Sequence, residues 1–198
     1  MQVICLRKFA GPLRRAPGLA LAAVAAIVVL PPIVAPARAQ PLETVRSVDV
    51  ERYAGVWHEI ARLPYRMEER CVADVTTAFV RHGMRTFDIE TRCRRADGSW
   101  ETDAGIVRIQ DTATNAKMEI RFLPLALAWW PFAWSDYWIL DLAPDYSYAL
   151  VGAPARDALW ILARKPVLET AIVERLVAKA RTHGFPVDKL IRSQSPAG

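Results

Sequence analysis

The feature that most constrains the fold is a series of short runs in which apolar and polar residues alternate. In 116–122 the even-numbered positions are apolar and the odd-numbered positions are charged, a period of two that indicates a strand with one buried and one solvated face. Similar runs recur after Val50, separated by turn residues. We predict eight strands, at about 56–63, 72–80, 85–93, 100–109, 116–123, 136–142, 147–153 and 158–164. Short strands at this spacing predict an antiparallel sandwich or barrel rather than βαβ units.

Two residues at opposite ends of this series indicate that the sheet closes on itself. Trp57 lies in the first strand, two residues after Gly55, and Arg164 ends the eighth strand. If the first strand meets the last, the guanidinium can lie over the indole ring, a cation–π contact worth about 0.5–2 kcal/mol. Asp145 and Tyr146 lie between the sixth and seventh strands.

Together, the Gly-x-Trp, Asp-Tyr and Arg elements resemble the three-motif pattern of the lipocalins, particularly the bacterial lipocalin and apolipoprotein D branch. The resemblance covers roughly residues 48–195. It implies an all-β fold, an eight-stranded up-and-down antiparallel barrel with one C-terminal α-helix packed outside. The residue pattern agrees, because an apolar stripe of helical period follows Pro166 and Gly184 supplies a stop signal. We predict a helix of about 15 residues here, then a short strand over 189–192 beside the first.

The first 39 residues are typical of a signal peptide. Four basic residues precede an apolar stretch of 12 residues at 19–30, and a small-x-small site ends at Ala39. A membrane span takes about 20 residues, so we expect cleavage after Ala39 and an exported domain over 40–198, periplasmic or secreted; an uncleaved anchor is the alternative. Outer-membrane members of the resembled family carry a lipid-modified cysteine after this stretch, but Cys5 precedes it here. Lipid anchoring is therefore not expected.

The net charge gives no argument for a nucleic-acid partner. Residues 1–39 contain five basic residues and no acidic one, so the formal charge of +5 falls to 0 without them.

Two cysteines remain in the predicted domain, Cys71 and Cys93. An oxidising compartment favours their pairing. The two positions are symmetric about residue 82, the middle of the predicted second hairpin, so they would face each other across its strands. The alternative is a pair of buried thiols in adjacent strands.

Alternation also predicts the contents of the barrel, once Trp57 and Arg164 are set facing inward at the closed end. The result is a mostly apolar cavity with a few polar groups, the usual composition of a site for a hydrophobic ligand. A solid core without a ligand is the alternative, and a slip of one residue would exchange the two faces. The candidate cavity residues are Glu59, Ala61, Ala73, Val75, Thr77, Phe87, Ile89, Val107, Met118, Ile120, Tyr137, Ile139, Val151 and Trp160.

One loop at the predicted open end is unusually apolar. The segment 124–134 carries no charge, and its aromatic residues are Trp129, Trp130, Phe132 and Trp134. Exposed apolar patches of this size mark partners, membranes or ligand gates. Three roles remain open: a lid folded into the mouth, a transient membrane contact, or a homodimer interface.

No catalytic or metal-binding constellation is evident. His58, His82 and His183 are predicted to lie on an outward strand position, in a turn and at a helix end, so they do not converge. The resemblance implies a non-enzymatic protein, without cofactor, that carries a fatty acid, lysophospholipid or similar lipid in transport or envelope maintenance. The alternatives are a lipocalin-type enzyme acting on a lipid, which free thiols would favour, and a carrier of a planar pigment such as haem.

Overall fold

The β-sheet of this chain closes into a barrel. The computed structural model describes residues 41–122 and 133–193. Each of the first seven strands pairs antiparallel with the next, and the first also pairs with the eighth. The strands are β1 Gly55–Arg62, β2 Cys71–Arg81, β3 Thr86–Arg95, β4 Trp100–Ile109, β5 Lys117–Arg121, β6 Ser135–Leu142, β7 Tyr148–Gly152, β8 Leu159–Ala163 and β9 Ile191–Arg192. The predicted eight-stranded antiparallel barrel is confirmed, and β9 pairs beside β1.

Two helices flank the strands. Helix α1, Val50–Tyr53, precedes β1, and helix α2, Thr170–Thr182, follows β8. The buried face of α2 joins an apolar cluster with the outer faces of the neighbouring strands, including Leu150 and Ile161. Strand β8 is therefore buried on both faces, which explains its continuous apolar run.

Glycine ends α2 as the sequence indicates. Gly184 has a φ of +84°, and the Phe185 N–H donates to the Ala180 carbonyl at 3.1 Å. This is the left-handed cap that glycine adopts without steric cost.

A β-bulge in β1 reverses the predicted inward and outward positions. Glu59 pairs with Leu162, but Ala61 pairs with Ile161, so Ile60 is the extra residue. Ala61 consequently joins the apolar cluster beneath α2, and its prediction as a cavity residue is wrong. Arg62 takes the position opposite Trp160 instead.

A second irregularity lies in β2, where Asp74 has a φ of +52° and the register shifts on both sides of Ala73. Ala73 lies opposite Arg94, whose guanidinium stacks 4.9 Å from the centroid of the Trp100 ring on the outer face. Residues directly opposite each other share a face. The prediction of Ala73 as a cavity residue is therefore also wrong.

The same shifts position the disulfide. Thr77 pairs with Thr91, so the hairpin is centred on residue 84 rather than on the predicted residue 82. The register shifts in β2 nevertheless bring Cys71 close to Cys93. Cys71 and Cys93 are bonded, with their Cα atoms 5.4 Å apart. The predicted pairing is confirmed, although the two cysteines are not directly opposite.

Two predictions fall wholly or mainly on other parts of the chain. The signal peptide over 1–39 lies outside the described residues, as do Trp129, Trp130 and Phe132 of the apolar segment 124–134, called the mouth loop below. Within 41–122 and 133–193, no helix is long and apolar enough to cross a membrane.

Candidate functional site

Arg164 seals one end of the barrel. Its guanidinium carbon lies 3.9 Å from the centroid of the Trp57 ring, which is fully buried. The same guanidinium donates hydrogen bonds of 2.7–3.1 Å to the backbone carbonyls of Arg52, Tyr53, Ala54 and Val56. The cation thus joins the end of β8 to the segment that enters β1.

Gly55 is needed at this seal for two reasons. Its φ is +98°, in the region that side chains disfavour, and a Cβ here would lie 3.2 Å from Arg164 Nη1. The glycine of the Gly-x-Trp motif therefore leaves room for the guanidinium.

Asp145 and Tyr146 fasten the same end from the turn between β6 and β7. The Tyr146 hydroxyl accepts a hydrogen bond of 2.8 Å from the Asp49 N–H, and the Arg52 guanidinium lies 4.1 Å from the centroid of its ring. The Asp145 carboxylate accepts hydrogen bonds from the Ser147 hydroxyl and N–H, which lower the pKa of Asp145. The turn thereby holds α1 across the closed end.

An aromatic layer fills the barrel above this seal. The Tyr53 ring lies 5.0 Å from Trp57 and 5.5 Å from Phe79, measured between centroids. Tyr137 lies 5.9 Å from Phe79 and 6.2 Å from Trp160. The Tyr53 and Tyr137 hydroxyls share a hydrogen bond of 2.9 Å, and burial raises the pKa of both phenols.

A small cavity remains between this layer and the open end. Its volume is about 30 Å³, room for one or two water molecules. Polar and apolar groups both line it: Glu59, Tyr65, Glu68, Thr77, Phe79, Thr91, Ile120, Phe122, Tyr137, Trp160 and Leu162. Side chains thus fill more of the barrel interior than the sequence analysis predicts.

The structure places the predicted cavity residues in different surroundings. Five line the cavity, namely Glu59, Thr77, Ile120, Tyr137 and Trp160. Six others are packed in the surrounding core: Phe87, Ile89, Val107, Met118, Ile139 and Val151. Val75 is buried, and Ala61 and Ala73 lie on the outer side of the barrel.

A charged cluster lies beside the cavity. Arg62 Nε donates to Glu68 Oε2 at 2.8 Å and lies 3.5 Å from Glu59 Oε1. Arg62 Nη2 donates to the carbonyls of Glu68 and Cys71, and the Ser193 hydroxyl donates to Glu59 Oε1. Burial, and then the neighbouring Glu68, raise the pKa of Glu59 well above its usual value.

Sequence reasoning missed Tyr53, Arg62, Tyr65 and Glu68. Tyr65 and Glu68 belong to the connection between β1 and β2. This connection has no alternating pattern from which the direction of its side chains could be predicted. Arg62 faces inward because of the bulge, for which the sequence carries no clear signal. Tyr53 is the last residue of α1, so the alternation of β1 does not extend to it.

Tyr65 separates the cavity from an outer groove at the open end. It lines both the cavity and the groove, which has a volume of about 540 Å³. Its hydroxyl donates to Ser135 Oγ at 3.2 Å, and its ring lies 5.2 Å from the Trp160 ring. Trp134, the one described aromatic residue of the mouth loop, also lines the groove.

The described residues contain no group of three or more His, Cys, Asp or Glu side chains that could hold a metal ion. His82 bonds Asp88 at an exposed site, and His183 ends α2.

Comparisons with known proteins agree with this geometry. A family model described as a lipocalin-like domain matches residues 48–195. Temperature-induced lipocalin-1 of Arabidopsis thaliana is 34% identical over 152 residues, covering 75% of this chain and 80% of the relative. Outer membrane lipoprotein Blc of Escherichia coli K12 is 31% identical over 153 residues, covering 77% and 82%. The structure of insecticyanin from the tobacco hornworm Manduca sexta has the same fold, with a TM-score of 0.60 at 22% identity, covering 81% of this chain and 87% of that one.

Proposed function

Because this chain belongs to the lipocalin family, we propose that it binds a small hydrophobic or amphipathic lipid in its barrel and carries it outside the cytoplasm. The observation that carries the proposal is an internal cavity with aromatic walls, sealed at one end by Arg164 and bounded at the other by Tyr65. A barrel closed at one end and accessible from the other is suited to holding one ligand.

The cavity volume implies that binding involves rearrangement. A volume of about 30 Å³ cannot hold an alkyl chain. Tyr65 and Phe122 are partly buried side chains at the open side of the cavity, and their displacement would connect it to the groove. We therefore expect the ligand to enter past Tyr65.

The proposed location is outside the cytoplasm, periplasmic or secreted. Residues 1–39 have the organisation of an export signal, and the similar E. coli protein is named an outer membrane lipoprotein.

Binding is favoured over the enzymatic alternative by the state of the cysteines. Cys71 and Cys93 are the two cysteines in the described part of the chain, and their disulfide leaves neither as a thiol nucleophile. A haem carrier is disfavoured because the cavity is lined without a histidine.

Two neighbouring threonines allow a matched test. Thr77 lines the cavity, whereas Thr76 lies on the opposite face of β2. Lipid binding is measured as the change in tryptophan fluorescence when a lipid is titrated into the protein. Thr77→Phe should fill the cavity and abolish this change, whereas Thr76→Phe should leave it as in the unmodified protein. Circular dichroism and thermal unfolding verify that both variants fold. Unchanged binding in folded Thr77→Phe would contradict an internal site, and native mass spectrometry of protein purified from its own compartment would identify the ligand.

A further inference from the structure

Two carboxyl groups belong to the polar part of the cavity wall. Glu59 and Glu68 both line it, and no Lys, Arg or His does so among the residues of the described chain. Glu59 is only 6% exposed, and the Glu68 side chain is 13% exposed. A ligand group in this cavity therefore meets two carboxyl groups, and the raised pKa of Glu59 means that this one tends to hold its proton.

The other polar groups of the wall are already engaged. The Thr77 and Thr91 hydroxyls share a hydrogen bond of 3.0 Å, and the Tyr137 hydroxyl is bonded to Tyr53 at 2.9 Å. Trp160 Nε1 lies 3.5 Å from Glu68 Oε2. Glu59 Oε1 and Glu68 Oε2 are engaged as well, and the two carboxyl groups hydrogen-bond each other, so a ligand must replace that bond to make new polar contacts here.

Arg62 does not neutralise both carboxylates. It is one cation beside two acids, closer to Glu68 than to Glu59, and two of its bonds go to backbone carbonyls. Burial and the proximity of Glu68 keep the pKa of Glu59 high, as expected of an acidic pair with insufficient positive charge. A ligand cation would take the place of the proton that this raised pKa favours on Glu59.

The apolar walls suit the same chemistry. The rings of Tyr65, Trp160 and Tyr137 form a contiguous group around the cavity, and aromatic faces attract cations. A volume of about 30 Å³ fits a primary ammonium group, which is close to water in size, and not a trimethylammonium group. The adjoining groove offers apolar contacts from Pro64, Trp134 and Ala158, and charged Arg66, Asp136 and Asp157 also line it.

We propose that the preferred ligand is a long-chain primary amine, with its ammonium group between Glu59 and Glu68 and its hydrocarbon chain leading past Tyr65 into the groove. This inference rests on the proposed function and specifies its ligand class. A long-chain carboxylate in the same position would face the two acids and is disfavoured.

Three ligands of equal chain length test the proposal on the unmodified mature protein. Dodecylamine, dodecanol and dodecanoate are titrated by calorimetry at neutral pH, each below the concentration at which it forms micelles. Dodecylamine should bind at least about tenfold more tightly than dodecanol, since hydrogen bonds to charged groups are the stronger ones. Dodecanoate should bind more weakly than dodecanol.

Substitutions of the two cavity carboxyl groups test whether the preference for the amine arises in the cavity. Glu68→Gln and Glu59→Gln should each reduce the ratio of amine to alcohol affinity, with little effect on dodecanol. Glu51→Gln is the control. It makes the same chemical change away from the cavity, because Glu51 pairs with Arg81 on the exposed surface. A ratio unchanged in both cavity variants, or lowered equally in the control, overturns the proposed ammonium site.

The outcomes separate the two proposals. Dodecanoate binding as tightly as dodecylamine overturns the amine preference while supporting a lipid carrier. That result would indicate that the carboxylate of dodecanoate binds Arg62, whose buried Nη1 has no hydrogen-bond partner in the described structure. Failure of all three compounds to bind would contradict both the ligand class and the proposed function.

Discussion

At the scale of single residues, Arg164 performs more than the ring contact that the sequence predicts. Besides lying over Trp57, it donates to four carbonyls of the chain entering β1. The sequence suggests the cation–π contact, but not the hydrogen bonds, because carbonyl directions depend on the path of the backbone. The seal at the closed end is therefore both electrostatic and geometric.

Arg164→Ala should lower the free energy of unfolding by roughly 1–3 kcal/mol, since four carbonyls lose a charged donor that is itself partly exposed. Arg164→Lys should restore little, because an ammonium group lacks the planar fork that serves several acceptors. A double-mutant cycle with Trp57→Ala, measured by denaturant unfolding, should show coupling between the two losses. Full additivity would contradict the importance of the contact.

Glu59 should make stability depend on pH. Below its usual pKa of 4.5 the carboxyl is protonated in both states. As the pH rises, the unfolded chain loses this proton first, because burial and Glu68 raise the pKa of the folded group. The stabilisation is thus present at low pH and is lost from about 4.5 upward, through the raised folded pKa.

Thermal unfolding of Glu59→Gln can detect this effect, since glutamine does not titrate. Relative to the unmodified protein, the variant should gain stability as the pH is raised from 4.5 to 8. Glu51→Gln, with its exposed carboxyl, serves as the reference. A difference between Glu59→Gln and the unmodified protein that is constant with pH would exclude the predicted linkage.

At the scale of elements, the bulges decide which faces meet. Strand β1 has an extra residue at Ile60, and β2 has irregularities around Ala73. Each shifts the alternation by one residue and moves a predicted cavity residue to the outer side. The bulge in β1 also turns Arg62 inward, which creates the charged cluster beside the cavity.

The hairpin of β2 and β3 carries the disulfide and should depend on it. Thiol titration of denatured, unreduced mature protein should find no free thiol, and reduction should release two. Cys71 and Cys93 are separated by 22 residues, so the crosslink should stabilise the protein by roughly 3 kcal/mol in the chain-entropy model. Denaturant unfolding of Cys71→Ser/Cys93→Ser against the unmodified protein measures this, and thiols titratable before reduction would revive the enzymatic alternative.

At the scale of the whole molecule, the barrel was predictable because its signals are local and repeated. Alternation marks each strand, turn residues space the strands, and the change of period after Pro166 marks α2. The Trp57 and Arg164 pair adds the long-range information that the sheet closes. Family membership, which the match over residues 48–195 shows, was accessible from the same motifs.

The contents of the barrel were decided by the tertiary structure. Alternation predicts which side chains of a strand are buried. The volume of the remaining cavity depends on how side chains from distant positions pack together inside the barrel. Tyr53 enters from α1, and Tyr65 and Glu68 come from a connection outside the strands. The sequence by itself thus determined a closed barrel with a sealed end; the packing of these side chains and the two bulges determined its small, carboxylate-lined cavity.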